Sequence, residues 1–276
     1  MKHIMVRADD LGYSEGINYG IEKSVKEGII KNVGFMVNMP ATQHGYDLLK
    51  DTEICLGQHT NICAGRPICD PKLIPSIVQE NGEFKTSKEY RSAKEDFVVL
   101  DEVILEIEAQ YEKFKEITGR EPEYFEGHAI ESENFLKGLE IVAKRHGLKY
   151  SGISFDGTPL DVNGKKVYMW MESMQKDYDP MQTFKTMVEN YHEGGYDMLI
   201  FHPGYLDDYI LTHSSLTIPR TKEVRVSCSA EMKQYLMENE IVLYTYNDVT
   251  GEVGFCGSNL NINAQKDVSQ NVNING

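Results

Sequence analysis

Acidic and histidine side chains in this sequence fall at the ends of apolar runs. Asp9 and Asp10 follow Ile4-Met5-Val6 in the stretch RADDLG. His59 ends ICLGQH, Glu126 and His128 end YFEGH, His202 ends MLIFH, and Asn247 and Asp248 end LYTYND. Two adjacent carboxylates at a strand end repel each other, and a cation beside them removes that liability. One Asp with two His is a common ligand set for a divalent metal, leaving positions for water and substrate. Successive strand residues point in different directions, so one aspartate can bind the ion while its neighbour takes another task.

These residues need strands that end on one face. Short apolar runs at His3–Ala8, Val33–Val37, Ile54–Gly57, Glu123–Glu126, Lys149–Ile153, Asp197–Phe201 and Ile241–Tyr246 read as strands, most of them apolar on consecutive positions, as parallel strands covered on both faces are. Between them lie helical patterns. Ser14 caps Glu15–Glu27. Val103, Ile107, Tyr111 and Phe114 recur at helical spacing over 101–118. Residues 133–146, 180–193 and 227–239 read similarly. About seven βα units predict an α/β fold, a TIM-like barrel of parallel strands closed or nearly closed, with an open doubly wound sheet as the alternative. In either, the carboxyl ends of the strands form the active face.

No linker or composition shift divides the chain, so residues 1–255 read as one domain and 256–276 as an Asn-rich tail. The connection 60–100 is long, rich in turn residues and directly follows His59, which predicts a loop over the active face, with Arg66 as a substrate contact. Glu126 and Asp248, at strand ends, are further substrate-contact candidates. His3, His44, His146, His192 and His213 read as structural, Met169, Trp170, Met171 and Met174 as packing, and Asp207-Asp208 as a solvated turn. Asp10, before Leu-Gly-Tyr-Ser, also fits a helix cap.

A formal charge of -15 argues against nucleic acid and against an anionic membrane surface. No apolar run reaches the ~20 residues that span a bilayer, and none reads as a signal peptide. The five cysteines (Cys55, Cys63, Cys69, Cys228 and Cys256) form no CxxC pair, so free thiols in a reducing cytoplasm are expected over a metal clip at Cys63 and Cys69.

Four stretches then carry a resemblance. ADDLGYSEGINYGI, GQHTNICAGRP, REPEYFEGH and FHPGYLDD resemble, in order and spacing over about residues 1–250, the motifs of the YdjC-like carbohydrate deacetylases. The resemblance implies a TIM-like barrel, a divalent ion (Mg²⁺ or Zn²⁺), and removal of an N-acetyl group from an amino sugar, typically in a chito-oligosaccharide. Carried over, the ligands are Asp10, His59 and His128, Asp9 is the general base and His202 the general acid. The third motif departs from the family: Glu126 stands for Asp, Gly127 for Ser, and Ile130 for a second His. A glycosidase acting on a phosphorylated disaccharide, with Asp9 and either Glu126 or Asp248 as its carboxylate pair, and a non-catalytic sugar-binding barrel are the rival readings. A small carbohydrate is the expected partner, and a homo-oligomer stays open.

Overall fold

The computed structural model describes residues 2–250; the Asn-rich tail and Cys256 lie outside the described residues. The strands are β1 (His3–Leu11), β2 (Asn32–Phe35), β3 (Cys55–Thr60), β4 (Tyr124–Gly127), β5 (Lys149–Tyr150), β6 (Leu160–Val162), β7 (Lys165–Trp170), β8 (Tyr196–Phe201) and β9 (Val242–Tyr244). They form one sheet in the order β5-β4-β3-β2-β1-β8-β7-β6, with β9 paired to β1. Every strand except β6 runs parallel to its neighbour. The sheet curls nearly into a barrel, and its ends, β5 and β6, leave one unsealed seam. The expected barrel is therefore present, and the antiparallel hairpin β6–β7 is an addition to the expected strands.

Alternation along β1 divides the molecule. Ile4, Val6 and Ala8 face the helices on the outside, while Met5 faces the barrel interior. The lower interior is filled by Met5, Cys55, Tyr124, Val162, Val167, Met198 and Tyr246. Tyr124 and Tyr246 stack there at 3.9 Å.

The helices are α1 (Glu15–Lys26), α2 (Thr42–Leu49), α3 (Ser87–Ser92), α4 (Leu100–Thr118), α5 (Glu133–Arg145), α6 (Pro180–Glu189), α7 (Asp208–His213), α8 (Ile218–Ser227) and α9 (Ala230–Glu238). Ser14, not Asp10, caps α1, accepting from Ile17 N. Asp207 is more than a solvated turn residue: it caps α7 and accepts from Gly16 N at 2.7 Å. Among the described residues, no helix is long and apolar enough to cross a membrane, and Cys55, Cys63, Cys69 and Cys228 are free.

Segment 60–100 is anchored along its length. The Glu106 carboxylate on α4 accepts from Ile68 N and Cys69 N at 3.0 and 2.8 Å, and Glu102 accepts from Ser76 N at 2.7 Å. Ile74, Ile77 and Phe84 bury against α4 and α5.

β1 is shared by two neighbours on one side. His3–Met5 pair with β9, and Arg7 onward pairs with β2. Asn32 closes this fork: its Nδ2 donates to Val6 O (3.2 Å) and Tyr244 O (3.1 Å), and its Oδ1 accepts from Tyr246 N (3.0 Å). Asn32→Ala leaves three groups in the interior without partners. At about 1 kcal/mol each, the variant should lose ~3 kcal/mol in chemical denaturation. A loss within ~0.5 kcal/mol of zero would show that the fork closes without it.

Candidate metal centre

The same alternation delivers the site. Inward positions carry Met5, Arg7 and Asp9 on β1, His59 at the end of β3, Tyr124, Glu126 and then His128 from β4, and Met198, Ile200 and then His202 from β8. Strict alternation would turn Asp10 outward. It does not, because β1 bulges between Ala8 and Leu11, and Asp10 takes a left-handed backbone with φ of 78°. The extra residue resets the phase, so Leu11 returns to the outer core while Asp9 and Asp10 both face the site.

Three donor atoms then converge. Asp10 Oδ1 lies 3.1 Å from His59 Nε2 and 3.1 Å from His128 Nδ1, and the two nitrogens are 2.9 Å apart. The other nitrogen of His59, Nδ1, meets Glu126 Oε1 at 2.5 Å. That bond holds the Nδ1 hydrogen on Glu126, so with an ion bound Nε2 would be the nitrogen that offers its lone pair. A carboxylate oxygen and two imidazole nitrogens facing one another at this spacing could hold a cation between them. Donors about 2.1 Å from one ion and at right angles to each other lie about 3 Å apart, as on one face of an octahedron. The residues therefore fit one divalent ion with its remaining positions open to the cavity.

Charged neighbours hold the triad. Arg220, fully buried on α8, donates from Nη2 to Asp10 Oδ2 at 2.7 Å, from Nε to Leu216 O at 2.8 Å and from Nη1 to His202 O at 3.3 Å. Burial opposes ionisation of Asp10, but Arg220 and His128 outweigh it and hold the carboxyl well below its usual range. Burial likewise lowers His128, and Asp10 overrides it, raising the imidazole to about 9. A field that holds a proton so firmly also draws a cation, so protons and metal compete for this site.

Asp9 stands beside the triad in a forked pair with Arg7, at 2.6 and 2.8 Å, which outweighs burial and lowers its pKa. Arg7 also approaches Glu126 Oε2 at 3.4 Å and donates to Tyr246 Oη at 2.9 Å, joining the polar site to the apolar interior below. His202 faces the cavity from the other side; burial lowers its pKa to about 4, and its Nδ1 has no partner among the described residues. Gly34 makes room for this crowding, since a side chain there would fill the space between Glu126 and Asp9.

The cavity holds about 320 Å³, at the small end for small-molecule sites. Of the expected residues, Asp9, Asp10, His59, Glu126, His128 and His202 all line it. Glu126 is not a free substrate contact: it is buried, and its oxygens face His59 and Arg7. Arg66 is an exposed side chain 3.6 Å from Glu83, outside the cavity lining; the same loop instead sends in Ser87 and Arg91 from α3. Asp248 lies at the opposite end of the barrel. β9 pairs only with the first residues of β1, so its carboxyl end opens low in the barrel, where Asp248 accepts from Thr245 N and Oγ1. Ile130 is buried among the side chains packed on α4 and α5, away from the triad. Met169 and Met171 pack against the interior cluster, as expected, and with His213 and Met174 they also line the cavity. Sequence reasoning missed Arg7, Arg220 and Glu223. Arg7 was legible two residues before Asp9 on the same strand face; the other two had no local signal.

The fold and site together define an α/β barrel with three donor groups, spaced as a cation could be held, at the carboxyl ends of its strands. The family model for YdjC-like proteins matches residues 3–238, and the chain belongs to that family. Carbohydrate deacetylase 2 of Listeria innocua is 30% identical over 259 residues, covering 89% of this chain and 98% of its own. A carbohydrate deacetylase of Clostridium beijerinckii is 29% identical, covering 89% and 99%. A solved structure from Enterococcus faecalis, described as a cellobiose-phosphate cleavage protein, has a TM-score of 0.79 at 21% identity, covering 90% and 98%; this likeness is one of fold.

Glu223, next to the site, gives a pH signature. Its carboxyl accepts from His202 N at 2.6 Å and from Tyr178 Oη at 2.8 Å, and burial raises its pKa to about 8, against 4.5 for an ordinary Glu. The folded state thus keeps a proton that the unfolded chain has already released. That stabilisation is complete below about pH 4.5 and is lost as pH rises through 8. Glu223→Gln should match the wild type near pH 5 and exceed it by at least ~1 kcal/mol at pH 8.5. Parallel stability curves from pH 5 to 9 would refute the buried neutral carboxyl.

Proposed function

We propose that this chain is a metal-dependent carbohydrate N-deacetylase, hydrolysing the acetamide of an amino sugar. The observation that carries this reading is the triangle of Asp10 Oδ1, His59 Nε2 and His128 Nδ1, with Asp9 and His202 lining the same cavity. The deacetylase names of its relatives supply the substrate class.

A divalent ion held there would polarise the acetyl carbonyl and make its water more acidic. The chain supplies the rest. Asp10, His59 and His128 hold the ion, and Glu126 fixes the ring of His59. Asp9 stays ionised at neutral pH because Arg7 grips it, and it accepts the proton of the attacking water. His202 donates to the leaving amine. Burial outweighs the charges of Asp9 and Asp10 and lowers its pKa to about 4, so the ring is neutral near pH 7 and gives a proton up readily once it has gained one. The carboxylate pairs of a glycosidase fit less well: Asp248 is at the far end of the barrel, and Glu126 is committed to His59 and Arg7.

Asp9→Asn should keep the metal and lose ~100-fold or more in acetate release, the range for a missing general base. The double change His59→Ala and His128→Ala should abolish metal binding. Metal content by elemental analysis and acetate release from N-acetylated sugars, with Mg²⁺, Zn²⁺, Mn²⁺ and Co²⁺ in turn, check both. If Asp9→Asn loses the ion while Asp10→Asn retains it, the two roles are reversed; no acetate from any sugar with any metal removes the enzymatic reading.

A further inference from the structure

The main chain of His202 is held on both sides by α8. Its N–H donates to Glu223 Oε2 at 2.6 Å, and its carbonyl accepts from Arg220 Nη1 at 3.3 Å. The ring has no such hold. Its Nδ1 is sealed from solvent and has no hydrogen-bond partner among the described residues. The ring still lines the cavity, so it meets the open space with its other edge, the one that carries Nε2. Beside it ends β7. That strand pairs in parallel with β8, Met169 opposite Met198 and Trp170 opposite Leu199. Counted three residues further, the same register sets Ser173 opposite His202. The inward positions agree: Met169, Met171 and Ser173 line the cavity from one strand, Ile200 and His202 from the other. Ser173 is 1% exposed, and its hydroxyl also lacks a partner among the described residues. The remaining buried, unpartnered side-chain atom on the cavity wall, among the described residues, is Glu126 Oε2, which faces Arg7 at 3.4 Å.

Two unpartnered atoms on adjacent strand ends suit each other. Neighbouring strands lie about 4.8 Å apart, so side chains side by side on one face meet directly or through one water. The direction of the bond follows from the task of the ring. As the group that protonates the leaving amine, His202 gains a proton at the cavity and gives it up there, and Nε2 is the nitrogen open to do both. The other hydrogen of the ring then stays on Nδ1 throughout. A buried N–H left without an acceptor carries its full desolvation cost, and Ser173 Oγ is the acceptor on the neighbouring strand. A hydroxyl takes that hydrogen without adding a charge. A carboxylate in its place would hold the ring in its charged form, against the lowering that burial gives His202.

We propose that Ser173 is the positioning residue of His202: its hydroxyl oxygen accepts the Nδ1 hydrogen and keeps Nε2 turned to the cavity. The role rests on His202 as proton donor to the amine; the hydrogen bond does not, and the test reads the two apart. Nitrogen-15 NMR of the full chain near pH 7 shows which ring nitrogen carries the hydrogen, with the His202 signals assigned by their loss in His202→Ala. In the wild type the hydrogen should sit on Nδ1. Ser173→Ala should move about half of the population or more to the Nε2 form, because the sealed N–H has lost its acceptor. Ser173→Thr keeps the hydroxyl and should keep the wild-type form. In acetate release, Ser173→Ala should lower kcat about tenfold with KM within about twofold, and Ser173→Thr should bring kcat back to within about threefold of the wild type. A wild-type ring with its hydrogen on Nε2, or a hydrogen unmoved by Ser173→Ala, would overturn the proposal. A raised KM at constant kcat would do the same, since it would make Ser173 a substrate contact. If the wild type releases no acetate from any sugar while the ring hydrogen still follows Ser173, the deacetylase reading falls and the pairing stands.

Discussion

Three carboxylates, Asp9, Asp10 and Glu126, are buried together at the mouth of the barrel. Unpaired, such a cluster would cost far more than a domain's net stability. The architecture around it is an answer to that constraint. Arg7 neutralises Asp9 from the same strand, two residues away and on the same face. Arg220 reaches Asp10 from α8. Glu126 takes the Nδ1 hydrogen of His59. Each of these contacts removes a repulsion and also leaves a functional atom in a fixed direction.

The same pairing gives the two adjacent aspartates different surroundings. Asp9 has both oxygens in the fork of Arg7, whereas Asp10 gives one oxygen to Arg220 and turns the other to the two histidines. A bulge is the physical device that makes this possible. Without the extra residue, one of the two carboxylates would face the outer helices, in an apolar layer with no partner. The left-handed backbone at Asp10 is tolerable there because short acidic side chains adopt it more readily than branched ones.

How much of this could be read in advance varied with the range of the interaction. The strand runs, the residues at their carboxyl ends and the α1 and α4 helices followed from local pattern, and the structure contains them. The β6–β7 hairpin went unread although Asn163-Gly164, with φ of 54° and 77°, is a strong turn signal; β6 is three residues long and β7 opens on Lys165-Lys166, so neither shows the continuous apolar run that marks most of the other strands. Helix α8 was hidden for a different reason. Its buried face carries Arg220, Glu223 and Ser227, so the apolar period that marks a helix is absent. Arg66 was placed in the site by its nearness to His59 in sequence, but the chain turns away after Cys63, and Arg91 from α3 reaches the cavity in its place.

The sequence by itself determined that Asp, His and Glu side chains would end strands on one face, because side-chain alternation and the polarity of parallel βα units are local rules. It also determined that Arg7 and Asp9 would share a face. Only the tertiary structure decided that Asp10 would join them, since that depends on a bulge against β2. Only it decided that Asp248 would be left out, since β9 lies too low on β1 to reach the mouth. The partners of Asp10 and His59 come from 210 and 67 residues away. No local pattern records such distances; they are set where the barrel closes and buried charge has to meet its counter-charge.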